Sequence, residues 1–507
     1  MRLSQVKSMI FGALMATNLI VPVMTDSSST TNIKDCLDPS KVDYNHDYFP
    51  EKAILQHSKQ WNITYHNTYK IITNKASNKS YLLYQCGTEV PSSEKIAGKH
   101  HLHIQVPLQN KVALSQTTQI PHLEHLGARR QVKAYIGSSS YISSPCLNYM
   151  IDESLIDVIP QSELDDYLQQ NKDILVIGGP FGNASAPNTF TLSESTEEHS
   201  RDIYEWIKAI GALFNAEAKA TRIFDGSVER FQCATDIAVE VETERGTEAT
   251  VVWAYYSDWA NGWDVATCDP KFNYYCSYAQ HCKANLLHSN EGSISKYGSA
   301  YMNDTEFIQF SKDAEVLLYM ADNWEKTYNV TTKKAILDQL ASVKAEKVYD
   351  YMGSGPNSWF EQRLAEYGMC DILFIGSRKS PSLFMMFYIY YWILYFLFVQ
   401  HALEKKIILS TILMKISFYI FSWTERIDVV LQDFCDVVGT SKADSKHVRK
   451  WFRHVFTEPI GSLGTCDSKT IDVEWKSRAT ECPQKTSSSG HLSLFWIFAC
   501  LMPWALW

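Results

Sequence analysis

Short blocks in which apolar residues alternate or run together occur at 68–73, 81–85 and 101–106, the pattern of half-buried and buried strands. A strand over 111–118 (KVALSQTT) passes into a polar loop, and Pro121 then stands where a first helical turn would begin. Leu123, Leu126 and the stop at Gly127 fit a short helix there. Further strands are predicted at 132–136, 156–159 and 174–177, the last entering the turn Gly178-Gly179-Pro180. Strands interleaved with helical pieces predict an α/β layer.

A longer helix follows. Ser193 or Ser195 can cap it, with Glu194, Glu197 and Glu198 at the positive end of its dipole. Ile203, Trp206, Ile207, Ile210, Leu213 and Phe214 recur at three- and four-residue steps, and Ala216, Ala218 and Ala220 extend the helix to about Phe224. Such a length suits a strut between two lobes. A second α/β unit begins with a strand at 250–256 (TVVWAYY), then a strand at 314–320, a helix at 332–343, a strand at 347–351 and a last helical piece at 428–438.

Three apolar segments stand apart from this pattern. Arg2 and Lys7 precede an apolar run over 9–24 and a Ser/Thr-rich exit, the plan of a cleaved secretory signal. The small residues Ser488, Ser489 and Gly490 precede an apolar C-terminal tail, which fits a lipid (GPI) attachment signal. The third run, 383–399, has no charge and nine aromatics among seventeen residues, and 407–423 is broken only by Lys415. A membrane hairpin is one reading, but its aromatics crowd the middle of the run instead of its rims. Ordinary soluble sequence flanks it on both sides, and Gly368-Met369-Cys370 can be encoded by a stretch containing the intron donor GTATGT. Residues 368–424 are therefore read as a retained intron, with the hairpin as the alternative.

Composition then falls into place. The 45% hydrophobic content is inflated by these segments, and without them about 400 residues remain, enough for two lobes and a connecting helix. A net charge of −9 argues against nucleic acid as a partner. Setting aside Cys370 and Cys500 leaves ten cysteines, an even set for an oxidising compartment: Cys36, Cys86, Cys146, Cys233, Cys268, Cys276, Cys282, Cys435, Cys466 and Cys482. Cys276 and Cys282 beside His281 match no standard zinc spacing. Five sequons, at Asn62, Asn78, Asn183, Asn303 and Asn329, agree with secretion.

The order of these blocks carries a resemblance. KVALSQTT, IPHLEHLG, DILVIGG, EWIKAIGALFNAEAKA, VVWAYY, DAEVLLYMADNW, SVKAEKVYDY, and SWFEQRLAE rejoined to DVVLQDF follow one another over about 111–438. This resembles the siderophore and cobalamin class of periplasmic substrate-binding proteins, in the eukaryotic surface form found in fungi and algae, and is similar to fungal ferrioxamine-binding proteins. The resemblance implies an α/β fold of two lobes joined by one long helix, little hinge motion, and a ligand in the cleft. The expected divisions are a signal at 1–25, an N-terminal lobe at 26–190 and a connecting helix at 191–240. The C-terminal lobe takes 241–367 and 425–485, and the anchor signal 486–507. No intrinsic cofactor is implied. The partners implied are an Fe(III)–siderophore-like chelate, a membrane reached through the lipid anchor, and a surface reductase or uptake system.

A hydroxamate chelate needs flat aromatic walls and a few polar donors, and α/β sites lie at strand ends. The candidates are Gln116, Thr117, Thr118, Tyr141 and Phe181 from the first lobe. From the second come Trp253, Tyr255, Tyr256, Trp259, Asn357, Trp359 and Arg363. Alternation along VVWAYY puts Trp253 and Tyr255 on one face and Tyr256 on the other, so about half of the aromatics are expected in the core. Trp359 and Arg363, spaced i, i+4, could equally stack on a helix surface, and Gln116–Thr118 could serve only the loop backbone.

Alternative functions were weighed on the same residues. A zinc or manganese carrier would use His100, His101, His103, His122 or His125, but these read as solvated, with His125 beside Glu124 on a surface-like helix. Enzyme readings have no support, since the chain has no G-x-S-x-G, no H-E-x-x-H and no phosphate loop. A structural wall protein would carry Ser/Thr/Pro-rich repeats, which are absent. The expectation is a binding protein and not an enzyme.

Overall fold

A computed structural model describes residues 30–92, 102–179, 188–197, 200–268, 275–289, 293–294, 299–329, 331–362, 429–442, 445 and 447–473. The expected signal at 1–25, the 368–424 segment and the expected anchor signal at 486–507 lie outside the described residues. Among the described residues no helix is long and apolar enough to cross a membrane.

Three sheets form the scaffold. The first holds β1 (Trp61–Tyr65), β2 (Tyr69–Asn74), β3 (Lys79–Gln85) and β4 (Leu102–Val106), antiparallel except for the parallel pair β3–β4. The second holds β5 (Val112–Leu114), β6 (Val132–Ile136), β7 (Asp157–Ile159), β8 (Leu175–Gly178) and β9 (Thr189–Thr191), all parallel, in the order β7-β6-β5-β8-β9. Helices Ile120–Leu126, Pro145–Asp152 and Leu164–Gln170 provide the crossovers from β5 through to β8. The first of these ends where Gly127 adopts φ +69°, as the sequence predicts. Parallel strands covered on both faces read as unbroken apolar runs, which is why they were legible.

The third sheet contains β10 (Ala249–Ser257), β11 (Gly262–Ala266), β12 (Ala284–Leu287), β13 (Ser293–Ile294), β14 (Ser299–Met302), β15 (Val316–Tyr319), β16 (Val348–Asp350) and β17 (Arg453–His454). Its order is β13-β14-β11-β10-β15-β16-β17, with β12 pairing the first half of β10 where β11 pairs the second half. β10, β12, β15 and β16 are parallel to one another. The chain is thus an α/β protein of two sheet-based lobes.

The connecting helix differs from expectation at both ends. A helix at Trp206–Leu213 stops, Asn215 takes the left-handed conformation at φ +52°, and a separate helix of 29 residues runs from Glu217 to Arg245. Asparagine tolerates that backbone region better than most residues. At 1.5 Å per residue the second helix is about 44 Å long, so it spans the distance between lobes. The two helices cross closely at Gly211, where a Cβ would lie 2.7 Å from that of Ala220. The apolar repeat continues through Asn215 because both helices bury a face on the same core, so periodicity alone could not reveal the break.

The N-terminal strands also depart from expectation. Among the described residues of 61–106 there is no crossover helix, and their strands form a separate sheet, held to the helix junction by buried polar groups. Lys70, fully buried on β2, pairs with Glu217 and donates to Asn215 Oδ1 at 2.9 Å. Glu217 Oε2 accepts from Asn32 Nδ2 at 2.7 Å, and Asn215 Nδ2 donates to Gln85 Oε1 at 2.9 Å and to the Ile33 carbonyl at 2.7 Å. Burial pulls the Lys70 ammonium below its ordinary pKa, and the Glu217 carboxylate opposes that pull. Glu205 is equally buried. It accepts from the backbone N–H groups of Gln56, His57 and Ser58 at 2.7, 2.8 and 2.7 Å, and from Lys208 Nζ at 2.8 Å.

One apolar cluster then runs continuously from Trp61 and Tyr81 through Leu114, Ile177 and Trp206 to Phe224 and Phe231 of the long helix, and on to Trp253, Leu318 and Phe434. Smaller clusters fill the opposite faces of the second and third sheets.

Residues beyond the 368–424 segment return to the C-terminal lobe. The helix Val429–Val437 is buried there, and Cys435 is disulfide-bonded to Cys282. Asp433 on that helix accepts from the backbone N–H groups of Lys450, Trp451 and Phe452. Gln362 and Val429 therefore both lie in one lobe, although 66 intervening residues fall outside the description. The tail that follows crosses back to the first lobe, through Cys146–Cys466 and the contacts of Arg129 with the Ile471 carbonyl and Arg130 with Asp472. Cys36–Cys86 and Cys268–Cys276 complete the described disulfides whose two ends are placed, and Cys233 is also disulfide-bonded. Cys276 and Cys282 are thus in two different disulfides.

Replacing Lys70 with methionine leaves Glu217 buried and without its cation, which should cost about 3–5 kcal/mol. The urea midpoint of Lys70→Met should fall well below that of the parent, and Lys70→Met/Glu217→Leu should recover most of the loss. A single variant that unfolds at the parental midpoint would contradict this account.

Candidate functional site

In the second sheet the strand order reverses direction between β5 and β8, and such a switch point opens a crevice at the carboxyl ends of the strands. The chain leaving β5 supplies Ser115, extended Gln116 and a 3-10 turn over Thr117–Gln119. The chain leaving β8 supplies Gly178 and Gly179. The Gln116 amide lies so close to Gly179 that a Cβ there would sit 2.1 Å from Gln116 Oε1. This close approach explains Gly179, while a Cβ at Gly178 would lie 3.0 Å from Thr189 Cγ2.

β10, β15 and β16 of the other lobe are parallel, so their carboxyl ends lie along one side of the third sheet. After β16 the chain makes a turn at Met352–Ser354 and a short helix, Ser358–Gln362, which packs on the Thr117–Gln119 turn and on the helix Ile120–Leu126. Asn357, at φ +61°, donates from Nδ2 to the Ser140 carbonyl at 3.1 Å. Glu361 accepts from the backbone N–H groups of Ser143 and Ser144 at 2.7 and 2.8 Å. Ser144 Oγ donates to Glu124 Oε1 at 2.7 Å, and Arg129 Nε donates to the same oxygen at 3.0 Å. The two lobes are clasped at the edge of the crevice.

On the third sheet three oxygen-bearing side chains stand in one row across adjacent strands. Tyr255 of β10 is opposite Asp264 of β11, which is opposite Tyr301 of β14. Tyr255 Oη donates to Asp264 Oδ2 at 3.2 Å, and Tyr301 is hydrogen-bonded to the same carboxylate. Burial raises both phenol pKa values, and the Asp264 charge adds to the effect. The Tyr351 hydroxyl is close enough to act electrostatically on Tyr255. The row shares its face with Trp253, whose ring lies 6.3 Å from Trp359 and 6.2 Å from Phe434. Trp359 in turn stacks on Tyr351 at 6.2 Å.

The predicted site residues divide accordingly. Gln116, Thr117 and Thr118 are half-buried at the switch point, Tyr141 is 64% exposed next to Ser140, and Asn357 bridges the lobes. Tyr255 lies in the row just described. Trp259 is 90% exposed at the tip of the β10–β11 hairpin. Trp253, Tyr256 and Trp359, by contrast, are core residues, because the aromatic positions of β10 and the Ser358–Gln362 helix fill space between layers. Tyr256 points to the opposite face, with its hydroxyl on Asn261 Oδ1 at 2.7 Å, as alternation requires. Phe181 and Arg363 lie outside the described residues.

Four residues escaped the sequence reading: Asp264, Tyr301, Tyr351 and Glu361. The segment after VVWAYY, SDWANGWDVA, carries an Asn-Gly turn between apolar runs, and reading it as a hairpin would have placed Asp264 opposite Tyr255. Nothing local marks Tyr301 or Glu361.

The histidines require a correction. His122 and His125 are buried, not solvated, because their helix packs on all sides; His122 stacks near Tyr204 and burial pushes its pKa down to about 4. His125 Nδ1 lies 3.2 Å from the Tyr204 hydroxyl. His103 is exposed on β4, while His100 and His101 lie outside the described residues. Among the described residues no three of His, Cys, Asp and Glu gather to hold a metal ion. The expected acidic first turn also differs. Glu194 and Glu197 are buried, Glu197 accepts from Trp206 Nε1 at 3.0 Å, and Glu198 lies outside the described residues. Glu194 Oε2 has no hydrogen-bond partner among the described residues.

Solved structures similar to this chain include an iron-binding (periplasmic solute-binding) protein from Staphylococcus epidermidis, described as such with reservation, at 12% identity and TM-score 0.37, covering 50% of this chain and 92% of that one. A periplasmic heme-binding protein from Pseudomonas aeruginosa matches at 10% identity and TM-score 0.36, covering 51% and 90%. FhuD2 from Staphylococcus aureus with bound ferrioxamine B matches at 13% and 0.36, covering 49% and 90%. No protein-family model matches the chain. No curated protein matches it either. The structural likenesses are too distant to decide anything about the site, and the two-lobed architecture rests on the sheet orders above.

Burial pushes the Glu194 and Glu361 carboxyls up to about 7. A raised carboxyl pKa means that the folded protein binds protons the unfolded chain has released, so the contribution of these two groups to stability is fully present below about 4.5 and is lost as pH rises through about 7. Each group can contribute up to about 3 kcal/mol to that loss. The contribution of these two carboxyls should therefore decline from pH 5 to pH 8, and Glu194→Gln should raise the thermal midpoint relative to the parent progressively over that range, most at pH 8. A pH slope unchanged by Glu194→Gln would refute the assignment of that share to Glu194.

Proposed function

We propose that this chain is a cell-surface binding protein for an iron chelate, a hydroxamate siderophore of the ferrioxamine type or a similar compound, and that it contributes to iron uptake. The observation that carries this reading is the meeting of two strand-end edges. The helix Ser358–Gln362, which follows β16 and Tyr351, packs on the Thr117–Gln119 turn at the switch point, and the proposed lining takes Gln116, Thr117 and Thr118 from that side and Tyr255, Tyr301 and Tyr351 from the other. Flat rings bury ligand area at small conformational cost, and amide, hydroxyl and phenol donors suit the partly negative oxygens around a chelated ferric ion.

Phe181 and Arg363 belong to the same proposed lining, on the sequence resemblance. Trp259 and Tyr141 would stand at the rim. A clasp made by Asn357 and Glu361, reinforced by Cys146–Cys466, favours a receptor with small lobe movement over one that closes widely. The surface location rests on the sequence: an N-terminal secretion signal, attachment near Ser488, Ser489 and Gly490, and glycosylation at Asn62, Asn78, Asn183, Asn303 and Asn329. Asn62, Asn78, Asn303 and Asn329 are exposed, as an oligosaccharide acceptor must be. A surface reductase or uptake system would take the iron onward.

Tryptophan fluorescence of the purified full chain should be quenched saturably by ferrioxamine B or ferrichrome, and not by zinc. Tyr141→Ala removes an exposed ring, so it should leave the thermal midpoint unchanged while weakening chelate binding about tenfold, or about 1.4 kcal/mol. Saturable quenching by zinc with no response to any ferric chelate would reverse the proposal.

A further inference from the structure

We infer that Tyr255, Asp264 and Tyr301 form a ferric-ion site, so that the protein's own oxygens complete the coordination of iron delivered by a chelate that does not fill all its positions. This inference deepens the proposed function and rests on it. It separates two kinds of cargo: iron held by weak, exchangeable ligands such as citrate, and iron sealed in a six-donor siderophore.

The argument begins with placement. Three adjacent antiparallel strands bring the side chains into register, and the carboxylate stands between the two phenols with a hydrogen bond to each. Directly opposed residues in such a sheet are held at fixed separations of about 4.5–5.5 Å between Cα atoms, so the row is preorganised by the backbone. Asp264 is 8% exposed, while Tyr255 and Tyr301 are half-buried, which leaves the phenol side of the row open to a ligand. Asp264 points away from the outer core that holds its neighbours Trp263 and Val265, and so towards the face carrying Trp253.

Hard cations prefer anionic oxygen ligands. Two phenolates and one carboxylate would bring three negative charges to a trivalent ion. Without a cation, the phenols stay neutral and Tyr255 donates to Asp264, because a second negative charge next to that carboxylate is unfavourable. A bound cation inverts the balance, because it is then the largest charge in the site. On binding, the two phenol O–H bonds break and both protons pass to solvent. Two Fe–O(phenolate) bonds and one Fe–O(carboxylate) bond form, displacing water or weak ligands. Iron remains ferric throughout, so no reductant is needed. A purely structural row of cross-strand hydrogen bonds would give none of these signals.

The test compares ferric citrate and ferrioxamine B on the full chain. Ferric citrate should produce a visible phenolate-to-iron charge-transfer band and release a proton for each phenol, whereas ferrioxamine B should quench tryptophan fluorescence without that band. The Tyr255→Phe/Tyr301→Phe variant keeps both rings and loses only the hydroxyls. It should fold as the parent does by circular dichroism, lose the band, and bind ferric citrate at least about tenfold more weakly. Quenching by ferrioxamine B with no band from ferric citrate would overturn the metal site and leave the chelate receptor standing. A band that survives in the double variant would also overturn it, by placing the iron elsewhere. Silence with both probes would remove the receptor reading as well.

Discussion

A buried charge can persist only with its partner, and the Lys70–Glu217 pair is where the organisation of this protein is anchored. Glu217 is the first residue of the long helix, Lys70 belongs to the four-stranded sheet, and Asn215 between the two helices satisfies both the lysine and Gln85. The sheet and the helix junction, 147 residues apart at Lys70 and Glu217, thus meet in one hydrogen-bonded knot. Removing any one of them would strand a charge or an amide in a medium that cannot solvate it. The arrangement also fixes where the long helix starts, and hence how far the second lobe stands from the first. Buried ion pairs are poor sources of net stability, and their better-attested effect is to specify one arrangement among several. That is the role the geometry gives this one.

The far end of the molecule is controlled in a different way. There the lobes meet through a carboxylate that accepts from backbone N–H groups, Glu361 holding Ser143 and Ser144, and within the C-terminal lobe Asp433 holds Lys450 through Phe452 in the same way. A carboxylate that binds successive N–H groups fixes the loop as well as the contact. With the Cys146–Cys466 bond and the ion pair of Arg130 with Asp472, the C-terminal tail works as a strap across both lobes. Because one apolar core runs along the helix from lobe to lobe, any opening of the crevice must bend at this clasp instead of separating two independent domains.

Much of the fold was legible because its strands are short, apolar and parallel. The blocks at 132–136, 174–177 and 250–256 lie within a residue or so of β6, β8 and β10, and Gly127 ends its helix as expected. The candidate site was legible only in part. Gln116–Thr118 and Tyr255 are at strand ends, where chain order alone places them. Trp253, Tyr256 and Trp359 are chemically as suitable for a cleft wall, yet they fill the core, since an aromatic residue buries equally well against a ligand or against another layer. Asp264 could have been placed from the Asn-Gly hairpin, whereas Tyr301 comes from a four-residue strand with no local mark, and both matter only through the register that aligns them with Tyr255.

Local sequence therefore determined the elements that depend on periodicity and turn chemistry: the parallel strands and the helix stop at Gly127. Tertiary structure alone decided the rest. It decided that the helix breaks at Asn215, that residues 61–106 form a separate sheet, that His122, His125 and Glu194 are buried, and which cysteines pair. It also decided that one carboxylate stands between two phenols. The physical reason is common to all of these. Each depends on a partner far away in the chain, and burial, pairing and register are properties of the pair that neither residue's neighbourhood encodes.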